Sequence, residues 1–187
     1  MTQTFLFYDL ETSGLNAAFD QVMQYAGIRT DAQGNVLEQD SFWVQLVDDV
    51  IPNPQALLVH KQGITQCNAQ GIAYDQGIKR IHVALNHPGT CSGGYNTLGF
   101  DDEFLRFSFY RYLLTPYTHQ YAQGCSRFDL YPIVVLYALF NPNVLEWAVR
   151  NGKRSFKLED LDTANQLAPE AVAHHALGDV EVTIALA

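Results

Sequence analysis

The first half of the chain alternates apolar runs with turn-forming residues, a pattern that predicts β-strands. Runs rich in aromatic and β-branched residues occupy Thr4–Leu10, Val22–Thr30 and Val36–Leu46. Between the second and third runs, Asp31 to Asn35 favours a turn. We therefore predict one buried strand followed by a β-hairpin, and we expect Pro52 and Pro54 to break any further strand.

The second half mixes short apolar runs with segments of helical spacing. Short strands are predicted at Thr90–Asn96, which contains Gly93 and Gly94, and at Ser126–Phe128; helices are predicted at Asp101–Leu114, Leu130–Phe140, Phe156–Gln166 and Ala171–Leu186. Ile64–Leu85 is mixed, and we expect a helix in its second half. Three strands followed by strands alternating with helices predict an α/β fold. Its expected form is a mixed five-stranded sheet with helices on both faces, which resembles the ribonuclease-H-like fold.

Composition narrows the class of protein. A chain of 187 residues is long enough for one domain, residues 1–187, with a hydrophobic core. With 48% apolar and 17% charged residues it is ordinary for a globular protein, and it has no run of about 18 apolar residues that would predict a membrane span. Three widely spaced cysteines, Cys67, Cys91 and Cys125, argue against a disulfide framework or a zinc site and favour a reducing cytoplasm.

The net charge of −9 argues against a nucleic-acid partner, because phosphate binding normally needs a basic surface. Carboxylates that bind cations also make the net charge negative, however, and a bound metal ion reverses the local sign of charge. The basic residues are also unevenly placed, since four of the eleven Lys and Arg residues lie within eight positions, at Arg150, Lys153, Arg154 and Lys157. On pattern alone, this cluster is best interpreted as a solvated loop.

Two acidic residues, Asp9 and Glu11, end the first predicted strand. Residues i and i+2 of a strand point to the same face, so the two carboxylates project side by side from an apolar element. Close carboxylates in a low-dielectric setting repel each other unless a proton or a cation intervenes, and a hard divalent cation accepts oxygen ligands. A strand end whose acids face water explains this pair alone equally well.

A second acidic segment, Asp101-Asp102-Glu103, begins a predicted helix. Acids at this position complement the helix dipole, which is a sufficient reason for their presence. The preceding Gly94-Tyr95-Asn96 gives a second interpretation, because α/β proteins commonly place functional groups between a strand and the following helix.

The third segment runs from His174 to Asp179, where Asp179 is the odd acid in an apolar helical stripe. A nearby histidine can act as a general base because its pKa lies near neutrality. Residues i and i+4 share a helix face, so this spacing favours His175, whereas His174 would have to lie in the preceding loop.

Together the three segments resemble the histidine-containing branch of the DEDD exonuclease superfamily. Its pattern is Asp-x-Glu, then Asn-x-x-x-Phe-Asp, then His-x-x-x-x-Asp, and the chain carries these at Asp9–Glu11, Asn96–Asp101 and His174–Asp179. The resemblance extends to the nuclease domain of the bacterial exodeoxyribonuclease I family through Thr4–Thr12, Gly94–Asn96, Phe100–Glu103, Phe109–Arg111, Ser126–Leu130 and Ser155–Glu159. The SH3-like and helical domains of that family have no counterpart here. Since the last helical pattern runs to Ala187, we expect either part of a longer protein or a boundary just past the last motif.

The resemblance resolves two choices that the residues alone leave open. The motif aspartate directly follows a phenylalanine, which selects Asp101 over Asp102, and the motif histidine lies five positions before the aspartate, which selects His174 over His175. The implied catalytic residues are Asp9, Glu11, Asp101, His174 and Asp179, of which the four acids are the metal ligands. The implied substrate-binding residues are Glu11, Thr12, Asn96, Phe100 and Lys157. At position 157 the family places an arginine or a similar base, and a lysine keeps the charge but cannot bind phosphate bidentately.

The activity implied by the resemblance is 3′→5′ removal of nucleotides from single-stranded DNA in repair and recombination. Two Mg²⁺ ions, replaceable by Mn²⁺, would promote hydrolysis to nucleoside 5′-monophosphates, with His174 taking the proton of the attacking water. The implied partner is a single-strand-binding protein, contacted mainly through the absent domains; we expect a monomer and no membrane partner. Three alternatives stay open: action on RNA 3′ ends or as a proofreader, a non-catalytic nucleic-acid-binding module, and an acidic structural domain.

Overall fold

The computed structural model describes residues 2–60, 63–169 and 175–187. Five strands form the main sheet: β1 Thr4–Thr12, β2 Val22–Thr30, β3 Val36–Trp43, β4 Thr90–Gly94 and β5 Ser126–Asp129. Their order is β3-β2-β1-β4-β5, with β2 antiparallel to β1 and β3, and with β4 and β5 parallel to β1 and β4 respectively. The predicted hairpin and the predicted mixed five-stranded sheet are therefore confirmed.

Seven α-helices are found in the described residues: α1 Pro54–His60, α2 Ile64–Gln70, α3 Tyr74–Leu85, α4 Asp101–Arg111, α5 Leu130–Phe140, α6 Leu158–Asn165 and α7 Ala176–Leu186. The predicted bounds of α5 are correct, and α6 begins two residues later than predicted. Of the helix predicted from Ala171, residues 171–174 lie outside the described residues. Within the described ranges, no helix combines the length and the apolar character that crossing a membrane requires.

Both faces of the sheet are covered by helices, because the alternating side chains of β1 are apolar on both sides. Leu6, Tyr8 and Leu10 pack against one layer, formed chiefly by α3 and α4. Phe7 faces the other side with Ala26 and Ile28 of β2, and there it meets Ala176 and Val180 of α7. The carboxyl end of β1 therefore lies between two packed layers, which is where its two acids emerge.

The short helix α1 was not predicted from the sequence. Pro54 was interpreted as a strand breaker, whereas in the structure it is the first residue of a helix, a position that tolerates proline because no hydrogen bond from its nitrogen is needed. The side chain of Asn53 caps this helix by accepting from Gln55 N at 2.9 Å. Asn53 N in turn donates to Ser13 O at 2.7 Å, so α1 is tied to the loop that follows β1.

Two further segments differ from the sequence-based expectation. In the region 64–85, the helix predicted for the second half is confirmed as α3, but a further helix, α2, precedes it and ends before Gly71. The basic cluster is not a plain loop, since Val149–Arg150 and Lys153–Arg154 pair as a small antiparallel hairpin, β6–β7. Asn151 and Gly152 both have positive φ and form its two-residue turn, which is the geometry that such hairpins require.

Gly93 of β4 allows β4 and β5 to approach closely. A Cβ atom at this position would lie 2.2 Å from the backbone oxygen of Phe128, its partner in β5. We expect Gly93→Ala to lower the free energy of unfolding by about 1–3 kcal/mol, the usual cost of overpacking. The matched control is Gly63→Ala, where an added Cβ meets nothing within 4 Å. Urea unfolding followed by circular dichroism measures both, and equal stabilities for the two variants would contradict this account of β4.

Candidate active site

The first two acids of the site leave β1 on the face that α7 covers. Asp9 and Glu11 are two residues apart in β1, so they share the face of Phe7 and not that of Leu10. Asp9 is half-buried and Glu11 is 6% exposed. The two carboxylates predicted to lie side by side are thus placed together beneath a helix.

The third acid, Asp179, comes from the first turn of α7. The helix is held against the sheet by Ala176 and Val180, which pack on Phe7 and its neighbours in β2. One carboxylate oxygen from each of Asp9, Glu11 and Asp179 can be chosen so that all three lie within 4.8 Å of one another. This spacing suits three ligands around a single divalent cation.

The fourth acid, Asp101, reaches the same place from α4 on the other layer. It is 4% exposed, and its Oδ1 accepts a hydrogen bond from Leu10 N, between the two β1 acids, at 3.1 Å. Burial raises the pKa of Asp101 well above its ordinary value, although hydrogen bonds from its own backbone N–H and from that of Leu10 oppose the shift. Asp101 therefore adds a buried carboxyl group at the edge of the three-acid cluster.

The electrostatics of the cluster centre on Asp9. Burial raises the pKa of Asp9 well above its ordinary value, and the charges of Asp101, Glu11 and Asp179, in that order, raise it further. Four carboxylates this close together need protons or cations between them to offset the repulsion between their negative charges. The donors are all carboxylate oxygens, which suit hard cations such as Mg²⁺ or Mn²⁺ better than they suit zinc.

Asp102 is directed away from this cluster, although it adjoins Asp101 in the chain. Its Oδ1 accepts from the hydroxyl of Tyr8 at 2.7 Å, and its Oδ2 accepts from the guanidinium of Arg127. Burial acts to raise the pKa of Asp102, but the nearby His119 and the hydrogen bonds from Tyr8 and Arg127 outweigh it and lower the pKa. The two neighbouring acids of α4 thus have different surroundings, one at the cluster and one in a partly buried ion pair.

The two candidate histidines can be compared only in part. His174 lies outside the described residues. His175 is the residue before α7 and has an extended backbone, with φ −132° and ψ 120°. Its Nε2 lies 3.1 Å from the side-chain nitrogen of Gln24, and its ring meets that of Trp43 edge-on at 6.3 Å between centroids. The imidazole of His175 is therefore engaged with β2 and β3.

Two clefts adjoin the carboxylates. A cleft of about 360 Å³ contains Asp9 and Asp179 together with Asn96 and Lys157, and its aromatic walls are Tyr95, Tyr131 and Phe156. A second cleft of about 230 Å³ contains Glu11, Thr12 and Phe100, with apolar walls that include Leu15 and Val59. All five predicted substrate-binding residues line one of the two. Leu15, Val59 and Tyr131 were not predicted as site residues, because an isolated apolar or aromatic residue in a loop or helix carries no signal of its own.

Lys157 stands at the rim of the larger cleft, just before α6, with its side chain 60% exposed. Its Nζ lies 3.4 Å from Glu159 Oε1. Two other members of the basic cluster are engaged within the protein: Arg150 pairs with Glu159 and Asp160, and Arg154 donates to Ala138 O and lies over Trp147. Of these four cations, Lys157 is the one that lines the cleft beside the acids.

Comparison with known proteins places these features in one family. Residues 6–187 match a family model described as Exonuclease. The chain is 39% identical over 188 residues to exodeoxyribonuclease I of Haemophilus influenzae, and equally to that of Escherichia coli; each match covers 98% of this chain and 39% of the relative. The chain thus spans about two fifths of the length of these relatives.

Solved structures agree with the sequence match. Escherichia coli exonuclease I in complex with a dA16 oligonucleotide superimposes with a TM-score of 0.94 at 37% identity, covering 98% of this chain and 39% of that one. The zinc-bound complex of the same enzyme with single-stranded DNA gives 0.94 at 36% identity, covering 99% and 39%. A complex of SSB and exonuclease I with an inhibitor gives 0.93 at 36% identity, covering 100% and 41%.

Proposed function

The chain belongs to the exonuclease family whose model matches residues 6–187, and on that basis we propose that it removes nucleotides from the 3′ end of single-stranded DNA. The observation that carries the proposal is the convergence of Asp9, Glu11 and Asp179 within 4.8 Å, with Asp101 bonded to the strand beside them. The relatives' name, exodeoxyribonuclease I, supports DNA as the substrate. We also propose that residues 1–187 act as one exonuclease domain.

The metal ions of the proposed reaction are two Mg²⁺, with Mn²⁺ as a substitute. Asp9, Glu11 and Asp179 fit one ion by their spacing, and Asp101 would contribute to the second beside Asp9. When bound, such ions activate a water for attack on phosphorus and stabilise the departing 3′-oxygen. The zinc-bound complex of the Escherichia coli enzyme shows that one relative accepts a divalent cation.

The remaining roles fall to His174, which lies outside the described residues, and to residues of the two clefts. His174 accepts the proton of the attacking water as the general base. Lys157 neutralises a phosphate of the strand that enters the larger cleft, and Asn96 lies in the same cleft. Thr12, Glu11 and Phe100 line the smaller cleft, whose apolar walls suit a nucleobase. The product is a nucleoside 5′-monophosphate.

Substrate class is tested with matched single-stranded DNA and RNA oligonucleotides labelled at the 5′ end. In Mg²⁺ we expect the DNA to shorten stepwise from a free 3′ end, faster than the RNA, with release of deoxynucleoside 5′-monophosphates. A DNA with a blocked 3′ end serves as the control and should stay intact. Faster shortening of RNA, or cleavage of the blocked DNA at internal positions, would contradict the proposal.

The choice between the two histidines is tested in the same assay. His174→Ala should lower kcat by about 10²–10⁴-fold, the usual contribution of a general base. His175→Ala should keep most of the activity, because the ring of His175 is engaged with Gln24 and Trp43. If only His175→Ala loses activity, the assignment of the base is wrong.

In the cell, we propose a role in DNA repair and recombination in a reducing cytoplasm, which the three free, buried cysteines support. We further propose that the protein acts as a monomer and meets a single-strand-binding protein. The solved complex of SSB with exonuclease I supports that partner.

A further inference from the structure

Strand β5 carries a motif, Ser126–Leu130, that the proposed reaction leaves without a role. Its alternate residues face opposite layers of the sheet. Phe128 meets Phe7 edge-on at 5.2 Å between ring centroids, on the α7 side. Arg127 and Asp129 point to the opposite side, where both contact the segment between Asn96 and Asp102. This segment links β4 to α4 and contains Asp101.

Arg127 holds the end of the segment. Its guanidinium donates to the carboxylate of Asp102, which is 4% exposed and also accepts from Tyr8 of β1. The Nε2 atom of the buried His119 lies 3.7 Å from the same carboxylate. Asp102 is therefore tied to β5 and β1 at once. Because consecutive residues of a helix are about 100° apart around the axis, fixing Asp102 also fixes the direction in which Asp101 points.

Asp129 holds the start of the segment. Its carboxylate is 7% exposed and accepts three backbone N–H bonds. Oδ1 accepts from Asn96 at 2.8 Å and from Tyr131 at 2.9 Å, and Oδ2 accepts from Leu98 at 3.1 Å. Asn96 has the left-handed φ of 61°, which costs a non-glycine residue free energy and needs support from its surroundings.

We propose that Arg127 and Asp129 are positioning residues, which clamp the two ends of the segment 96–102 so that the Asp101 carboxylate is held against Leu10 N, at the edge of the cluster of acids from β1 and α7. The inference rests on the proposed function in one respect, because both require that this cluster binds a cation. Neither residue lines the two clefts beside the acids, so each acts through the segment that it holds. Partners that orient metal ligands commonly affect metal affinity or activity by about 10–100-fold when they are replaced.

The variants separate positioning from general stability. Arg127→Gln removes the ion pair with Asp102, and Arg127→Lys restores its charge. Asp129→Asn keeps the shape of the side chain, but it turns one acceptor into a donor and so breaks at least one of the three backbone bonds in either orientation of the amide. The matched control is Arg80→Gln, which removes a two-pronged ion pair with Asp40, between α3 and β3.

Calorimetric titration with Mn²⁺ is the deciding measurement, alongside kcat on single-stranded DNA and urea unfolding. We expect Arg127→Gln and Asp129→Asn to weaken Mn²⁺ binding by about 10–100-fold at temperatures where they remain folded. Arg127→Lys should recover part of the loss, and Arg80→Gln should bind Mn²⁺ as the unaltered protein does.

Unchanged Mn²⁺ affinity in folded Arg127→Gln and Asp129→Asn would overturn the inference, as would equal weakening in Arg80→Gln. Should Arg127→Gln fail to fold, Asp129→Asn decides alone. Should the unaltered protein bind Mn²⁺ yet leave DNA intact, the proposed function fails, and the Mn²⁺ affinities of the variants still decide the role of the clamp. If the unaltered protein binds no Mn²⁺, both fail.

Discussion

Replacing Asp9 by asparagine is expected to lower the rate of single-strand degradation in Mg²⁺ by at least about 10³-fold, on the scale of losses seen when one member of a catalytic unit is removed. Asp9 is central to the site, since the charges of Asp101, Glu11 and Asp179 all act on it. Asparagine keeps the shape of the side chain but removes the charge that a cation needs. The measurement is kcat on a 5′-labelled single strand.

The matched control is Asp75→Asn on α3. Asp75 is exposed and pairs with Lys79 at 2.9 Å, four residues further along the helix. An exposed pair of this kind contributes little to stability and nothing to the site. Asp75→Asn should therefore keep full activity. Full activity in Asp9→Asn, with circular dichroism that matches the unaltered protein, would refute the assignment of the site.

The second large effect concerns stability. The unaltered protein should be less stable than Asp9→Asn without metal and more stable than it with metal bound. Mn²⁺ at about 100 times its dissociation constant should stabilise the unaltered protein by about 2.7 kcal/mol. For chains of about this length, each kcal/mol moves Tm by about 2–4 °C, so the expected rise is about 5–11 °C. The rise is expected because a bound cation offsets the burial, and at Asp9 also the neighbouring charges, that raise the pKa of Asp9 and of Asp101.

Asp9→Asn should behave in the opposite way. In EDTA it should be more stable than the unaltered protein, by about 0.5–2 kcal/mol, because an amide is not disfavoured by the burial and the neighbouring charges that raise the pKa of the Asp9 carboxyl group. In Mn²⁺ it should gain little further stability. Differential scanning calorimetry in both buffers measures this reversal. An Asp9→Asn variant less stable than the unaltered protein in EDTA, or with the same Mn²⁺-dependent rise, would show that the acids do not form a strained cation site.

The sequence predicts the β1 half of the site well, for a physical reason. Strand alternation is short-range and regular, so Asp9 and Glu11 are placed on one face by their spacing alone. The order of strands and helices likewise follows from local apolar periodicity. The spacing of residues in the sequence does not determine how α4 is rotated about its own axis. Asp101 and Asp102 are adjacent acids at a helix start. One joins the cluster and the other pairs with Tyr8 and Arg127, and this difference depends on contacts about 25 to 94 residues apart in sequence.

The helix-spacing argument for His175 fails for a related reason. It assumes that His175 and Asp179 lie in the same helix, yet α7 begins at Ala176 and the backbone of His175 is extended. The family resemblance selected His174 without that assumption, and His174 lies outside the described residues. The assignment of the general base thus depends on the variants proposed above.

Other parts of the site arise from contacts that no local pattern records. The smaller cleft depends on α1, whose start at Pro54 was interpreted as a break because proline is compatible both with a helix start and with a strand end. The basic cluster was noticed for its charge, but its hairpin turn at Asn151 and Gly152 was not. The pairing of Arg150 with Glu159 and Asp160, and of Lys157 with Glu159, shows that part of this charge is neutralised within the protein.

The central claim is that four acids, distant in sequence, form a cation site between β1, α4 and α7. It is tested most directly by anomalous diffraction from a crystal soaked in Mn²⁺. We predict strong anomalous peaks among the carboxylates of Asp9, Glu11 and Asp179, with Asp101 beside them. Absence of a peak there at saturating Mn²⁺, or an Asp101 or Asp179 side chain turned away from Asp9, would contradict the account.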